Sequence, residues 1–253
     1  MQQHDEIDRI TPTLEPDQPV LLHQNWHHLL FLHWEVSPAD LQALIPSRLT
    51  VDTFGGKAYV GLVPFTLTGV RPVGVPPLPW ISHFNEVNVR TYVHLNGRDP
   101  GVWFFSLDAS SAIAVAAARA AYRLPYFASE MTFEVSDEPL PLVTTTARRT
   151  DERGPTPANA SISYRPSEGA LTTASPGTIE HFLVERYILY TEDQEHRLHR
   201  ARVHHQPYPL LNAEVGTLEE TLVWAAGIRR PENAPLRHYA REVNVRVYPL
   251  EEV

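Results

Sequence analysis

"FNEVNVRTYV" (84–93) and "AREVNVRVYP" (240–249) carry the same five residues, Glu-Val-Asn-Val-Arg, at two distant places in one chain. In a strand this pattern turns Glu, Asn and Arg to one face and both valines to the other. The flanks do not match at a common offset, as a duplicated unit would require. The copies therefore read as two strands of one sheet with the same inside–outside pattern, neighbours where a final strand closes a barrel. The first copy is followed by "VWFFSL" (102–107), apolar on both faces. A strand beside a doubly buried strand is central, so Glu86, Asn88 and Arg90 face inward rather than to solvent. Buried together, a carboxylate, an amide and a guanidinium must satisfy one another or line a polar pocket. The expectation is a cavity that all three enter, with Glu86 and Arg90 close enough to pair.

Outward from this pair, the chain alternates short β patterns with turns. "SPADLQALIP" (37–46) is a short helix capped by Ser37. "LTVDTF" and "KAYVGLVPFTL", joined by Gly55-Gly56, form a hairpin, and the proline-rich "TGVRPVGVPPLPW" (68–80) forms an ordered loop. "SSAIAVAAARAAYRL" (110–124) is alanine-rich and apolar nearly all round, which predicts a helix buried on most sides. Strands follow at "EMTFEV", "LVTTTARR", "ASISYR" and "RLHRARVHHQPYPL". "TIEHFLVERY" starts as a helix and becomes a strand at "RYILYT". Thr217 and Glu220 form a capping box that opens a helix over "GTLEETLVWAAGI".

No compositional break divides the chain. The expectation is a polar arm over residues 1–20, loosely held, and a single domain over residues 21–253. The 23 prolines outnumber the 12 glycines, in keeping with many strand ends and rigid turns. A net charge of −9 argues against nucleic acid and anionic membrane as partners. No apolar run is long enough to span a bilayer, and the acidic N-terminus does not read as a signal peptide. The absence of cysteine excludes disulfides, thiolate metal sites and a cysteine nucleophile, and fits a cytoplasmic location. Lys57 is the only lysine among 21 basic residues, so only one side chain could form a Schiff base.

No nucleotide loop, nucleophile elbow or zinc-protease motif occurs. His27, His28 and His33 in "HHLLFLHWE" have no strong metal-ligand spacing, so no metal and no cofactor are expected. Of the adjacent His204 and His205, one must face inward, where it is an acid–base group near neutral pH.

"FLHWEVSPADLQALIPSRLTVDTFGGKAYVGLVPF", "NEVNVRTYV", "GVWFFSLDASSAIAVAAARAAYRLPY", "ERYILYT", "HHQPYPL" and "HYAREVNVRVYPL" together resemble the DUF2071, or YqjF-like, family. The resemblance covers nearly the whole chain after about residue 20. It implies an acetoacetate-decarboxylase-like fold: a mainly β, α+β architecture with a cone-shaped antiparallel barrel, a central cavity and flanking helices. More distantly, "FNE" is similar to the decarboxylases' Tyr-Thr-Glu stretch and would give Glu86 the role of their cavity glutamate. "AIAV" (112–115), Arg119 and Pro125 match a further decarboxylase run, with two residues inserted. The two lysines that follow the proline in the decarboxylases fall on Tyr126 and Phe127. Tyrosine cannot form an imine, so the resemblance implies the fold without the Schiff-base chemistry.

Two functions fit. One is a cavity that binds a small acidic or carbonyl-containing molecule through Glu86, Asn88, Arg90, Arg119, Tyr126, Tyr190 and His205. The other is a lysine-independent lyase, isomerase or hydrolase. There Glu86 or His205 would move protons, and Tyr126 and Arg119 would stabilise an oxyanion. The oligomeric state is left open, a homo-oligomer included.

Overall fold

The computed structural model describes residues 7–78, 81–136 and 140–253. The first six residues of the arm and the last two of the loop expected over 68–80 lie outside these.

The chain opens with a short 3-10 turn (Thr11–Thr13) and the long strand β1 (Leu22–Val36). There follow α1 (Pro38–Gln42), β2 (Thr50–Val51), β3 (Ala58–Pro72), β4 (Phe84–Leu95) and β5 (Arg98–Ala109). The alanine-rich helix α2 (Ala112–Tyr122) leads to β6 (Tyr126–Ser136), β7 (Leu142–Arg149) and β8 (Asn159–Pro166). The last third holds α3 (Ile179–Val184), β9 (Ile188–Glu192), β10 (Leu198–His205), β11 (Leu210–Glu220), α4 (Leu222–Ala225) and β12 (Leu236–Glu252).

The strands form a ring-like sheet rather than a regular barrel. From β12 the ladder runs through β1, β3 and β4 to β5. It closes by two routes. One passes through β9 and β10 back to the C-terminal half of β12. The other passes through β6, β7, β8 and β11 back to the N-terminal half of β12. The wall β1–β3–β4 is thus buried on both sides, and two hydrophobic cores lie against it. Leu30, Leu32, Leu62, Val87 and Val89 pack toward β7 and β8, while Leu29, Phe31, Val63, Phe65 and Leu107 face the space closed by β9 and β10.

Both Glu-Val-Asn-Val-Arg segments are strands of the sheet, in β4 and β12. They are not neighbours, since β1 and β3 stand between them. Nor do they share one inside–outside sense. In β4 the valines enter the core toward β7 and β8, the outer core, and the polar trio points into the ring. In β12, Val243 and Val245 point into the ring, while Glu242 and Asn244 are exposed. The motif fixes only alternation; the tertiary neighbours decide which face is inside.

Other expectations are corrected as well. The ladder is not wholly antiparallel: β5 pairs in parallel with β6 and β9. Helix α2 supplies the crossover that the parallel β5–β6 neighbours require. Gly101 permits the approach of β9, because a Cβ there would lie 2.6 Å from Ile188 O. Helix α2 is not buried. Val115 and Tyr122 are buried, but Ile113 and most of the alanines are exposed. Gly55-Gly56 makes a turn closed by a Phe54–Lys57 bridge, yet β2 pairs with β4 and not with β3. Thr217 lies inside β11, where the ladder to β8 runs on to Glu220. Glu220 instead accepts from Val223 N (2.9 Å) at the start of α4. The first five residues of 68–80 are strand, since β3 continues to Pro72. The described part of the arm is fastened: Arg9 is bidentate to Asp52 (2.5 and 2.7 Å), and Arg202 donates to Pro12 O (2.8 Å).

Candidate functional site

The ring encloses a cavity of about 460 Å³. Its walls are largely aliphatic and aromatic, among them Leu29, Val63, Phe65, Phe104, Leu189 and Val203. Into this apolar space β4 projects Glu86, Asn88 and Arg90, each less than a tenth exposed. The strand row His33–Gly61–Arg90 explains how a guanidinium fits. A Cβ on Gly61 would stand 3.2 Å from the His33 ring and 3.4 Å from Arg90 Cγ.

Glu86 accepts from the Tyr126 hydroxyl (2.7 Å, Oε2) and from Asn88 Nδ2 (3.3 Å, Oε1). Burial pushes its pKa up to about 7. The two hydrogen bonds oppose that shift, and the nearby Asp108 adds to it. At neutral pH Glu86 is therefore poised between acid and base. Burial and the Glu86 charge push the Tyr126 phenol well above its ordinary value, so it stays a donor.

The expected Glu86–Arg90 pair is not formed. Four residues of strand separate their Cα atoms by about 13 Å. Arg90 makes one long bond, Nη2 to Leu183 O (3.4 Å), and lies near the rings of Phe31 and Tyr92. Its Nε has no hydrogen-bond partner, and among the described residues it has no carboxylate partner. Tyr92 shares the Leu183 carbonyl (2.7 Å) and is bonded to His33 Nε2 (2.5 Å).

Not every expected residue converges here. Arg119 donates to Tyr126 O (2.8 Å), but it lines an outer cleft with Arg123 and Asp193. Tyr190 packs in the outer core and donates to Asp99 O (2.7 Å). His205 is the more deeply buried of the two adjacent histidines, yet it does not line the cavity: Trp26 and Tyr208, which do, pack against it. Its ring lies 4.6 Å from that of Tyr187 and 4.3 Å from that of Tyr208, and Nδ1 bonds Gln206 O (2.8 Å). Burial holds its pKa down, to about 4, so it is neutral at physiological pH. Phe127, at the second lysine-equivalent position, has the guanidiniums of Arg149 (4.1 Å) and Arg119 (5.9 Å) near its ring. Lys57 is half exposed and paired with Glu35 (2.7 Å), away from the cavity.

The sequence reading missed Arg186. This residue lines the cavity, with its side chain 3% exposed. It donates to Asp52 Oδ2 (2.8 Å) and Phe182 O (2.7 Å) and lies over the rings of Phe182 and Tyr92. The signal was available in "FLVERYILY" (182–190), where two charged residues interrupt an apolar run. The other, Glu185, accepts from Tyr208 N (3.0 Å) and the Tyr187 hydroxyl, and burial raises its pKa.

Among the described residues no group of three or more His, Cys, Asp or Glu side chains could hold a metal. No described helix is long and apolar enough to cross a membrane.

The profile of DUF2071, an uncharacterized conserved protein family, matches residues 23–248. The chain belongs to the DUF2071 family. This DUF2071 protein is 38% identical over 235 residues to the uncharacterized protein YqjF of Bacillus subtilis, covering 93% of both chains. The fold is also that of acetoacetate decarboxylase-like proteins. An acetoacetate decarboxylase-like enzyme from Sphingomonas wittichii superposes with a TM-score of 0.61 at 12% identity, over 93% of each chain. The acetoacetate decarboxylase of Legionella pneumophila gives 0.61 at 10% identity, over 94% of this chain and 90% of that one. The enduracididine biosynthesis enzyme MppR, in complex with pyruvate, gives 0.62 at 11% identity, over 95% and 92%. At these identities the likeness is one of fold.

Proposed function

We propose that this DUF2071 protein binds a small organic acid in the central cavity, with the ligand carboxylate against Arg90. The observation that carries this reading is a buried guanidinium, Arg90, with no carboxylate partner among the described residues, opening onto an apolar space. Such a charge is costly unless something anionic completes it. Glu86 and Tyr126 offer a second polar station for a carbonyl or hydroxyl oxygen. Calorimetric titration with acetate, butyrate, pyruvate and acetoacetate, each beside its amide or alcohol analogue, tests it. Carboxylates should bind and the neutral analogues should not. Arg90→Met should abolish binding without lowering the urea midpoint, because an unneutralised buried charge is replaced by an apolar side chain of similar length. Equal binding of acids and amides would overturn the reading.

A second reading is supported by the pKa of Glu86 near 7 beside a phenol donor: proton transfer at carbon next to a bound carbonyl. Its test is exchange of the methyl protons of pyruvate in deuterated buffer, followed by NMR. Exchange lost in Glu86→Gln would favour catalysis; a rate equal to that of free buffer would leave binding alone.

A further inference from the structure

We propose that the acid is an amphiphile: Arg90 and Arg186 grip its carboxylate jointly, and its apolar chain runs along the cavity and out between α2 and the side chains of Val70, Pro72 and Ile81. This rests on the organic-acid reading above and names the class of acid.

The head site follows from counting charges. Arg90 and Arg186 approach the one Tyr92 ring, their Cζ atoms 5.8 and 4.9 Å from its centroid. Asp52 is the carboxylate within bonding distance of Arg186, and it is shared with Arg9. Burial alone would raise the Asp52 pKa, but Arg186 and Arg9 hold it below its ordinary value, so it is ionised. Arg186 and Arg9 thus share one carboxylate and Arg90 has none, so three guanidiniums are matched by a single buried carboxylate, a formal excess of about two positive charges. Glu185 does not offset it, because its carboxyl is turned to Tyr187 and Tyr208. Arg186 Nη2, like Arg90 Nε, is buried without a hydrogen-bond partner. Two donors lacking acceptors beside one ring suit a planar, two-oxygen anion.

The tail follows from the rest of the wall. From Arg90 the cavity continues along β4 to Phe84, past Phe65 and Leu67. Glu86 and Tyr126, met partway, satisfy each other, so a methylene chain can pass these two without breaking their bond; Asn88 Oδ1, on the same strand nearer Arg90, is left without a partner among the described residues and lies on the head side of the path. At the mouth Leu21 and Ile113 line the cavity while 42% and 57% exposed, and Ile81 joins them. Six residues of strand span about 20 Å, enough for the arginine side chain and an extended tail of about ten atoms at ~1.2 Å per bond. A short acid would leave most of this apolar surface uncovered.

The test is a titration series of butyrate, hexanoate, octanoate, decanoate and dodecanoate, with decanol as the neutral control. Affinity should rise about fourfold per methylene up to roughly the ten-carbon acid and then level off. Decanol should bind at least about tenfold more weakly than decanoate. Arg186→Met should weaken decanoate by a similar factor; Asp52 keeps Arg9, and circular dichroism checks the fold. Ile113→Asp, at an exposed position, should weaken decanoate and leave butyrate unchanged. If no acid of any length binds, the organic-acid reading itself fails. If acids bind with no dependence on chain length, or Ile113→Asp affects all lengths alike, only the amphiphile inference fails.

Discussion

Glu86 is where local chemistry and global stability meet. Its pKa is about 7 in the folded protein against the ordinary 4.5, so the native state holds its proton more tightly than the unfolded chain. Between those values the native state carries more protons, and stability falls as pH rises. A shift of this size corresponds to about 3 kcal/mol, present as a cost above pH 7 and absent below pH 4.5. Glu86→Gln keeps an acceptor for Tyr126 and removes the titration. Urea denaturation should find the variant more stable than the parent at pH 8 by about that amount, with the difference fading toward pH 4.5. A difference independent of pH would mean that Glu86 is solvated. His205 slopes the other way. Its pKa is lowered to about 4, so stability is lost as pH falls through 6.5 toward 4. A second prediction concerns Lys57. Its charged form is stabilised by Glu35, and it sits outside the ring. Incubation with acetoacetate and borohydride should leave the protein mass unchanged. An adduct that disappears in Lys57→Ala would show that the lysine does reach a substrate. The inward trio of β4 was legible because period-two alternation beside an all-apolar strand leaves no solvent face. The Glu86–Arg90 pair was misread because a shared face is not proximity: the strand's rise sets them too far apart.

At the scale of elements, α2 shows how a local pattern misleads. Eleven residues with almost no polar side chain read as a core helix, yet the helix lies over the mouth of the cavity with its outer face in solvent. Alanine permits this, since its methyl exposes little apolar area. What anchors the helix is Val115 and Tyr122 on its inner side, with Ser111 capping Ala114 N (3.2 Å). Val115→Ala should therefore cost about 2 kcal/mol from the lost methyls and the space they leave. Ala116→Glu, one position on and exposed, should change stability by less than about 0.5 kcal/mol. Equal costs in thermal unfolding would mean that both faces are packed, as the sequence alone suggested. The same limit of local reading applies to Thr217 and Glu220. Their spacing fits a capping box, but pairing of Leu218, Glu219 and Glu220 with β8 holds the segment extended.

For the whole molecule, one wall of sheet serves two enclosures, and something must fasten the second layer where β5 leaves β9 and takes up β6. That fastening is Asp108 with Arg149. Both side chains are essentially inaccessible; Arg149 Nε and Nη2 bond the two carboxylate oxygens at 2.8 and 2.7 Å, and Ser129 adds a third bond at 2.8 Å. The three residues come from β5, β7 and β6, and Phe127 lies under the guanidinium. The sequence reading put Arg149 at the end of a strand and left Ser129 one residue outside the next, and it could not join either to Asp108, because the parallel β5–β6 contact is made only through the α2 crossover. Asp108→Asn leaves Arg149 buried with a neutral amide where it had a bidentate carboxylate, and should cost about 3–5 kcal/mol. The location of the loss is the sharper test. Asp108 lies at the seam, and the wall β1–β3–β4 has its own ladders, so hydrogen exchange in Asp108→Asn should accelerate first in β6 and β7. Amides of β1 and β3 should exchange only at the rate of global unfolding. If all strands lose protection together, the two enclosures unfold as one unit, and the pair is a part of the common core instead of the fastening between layers.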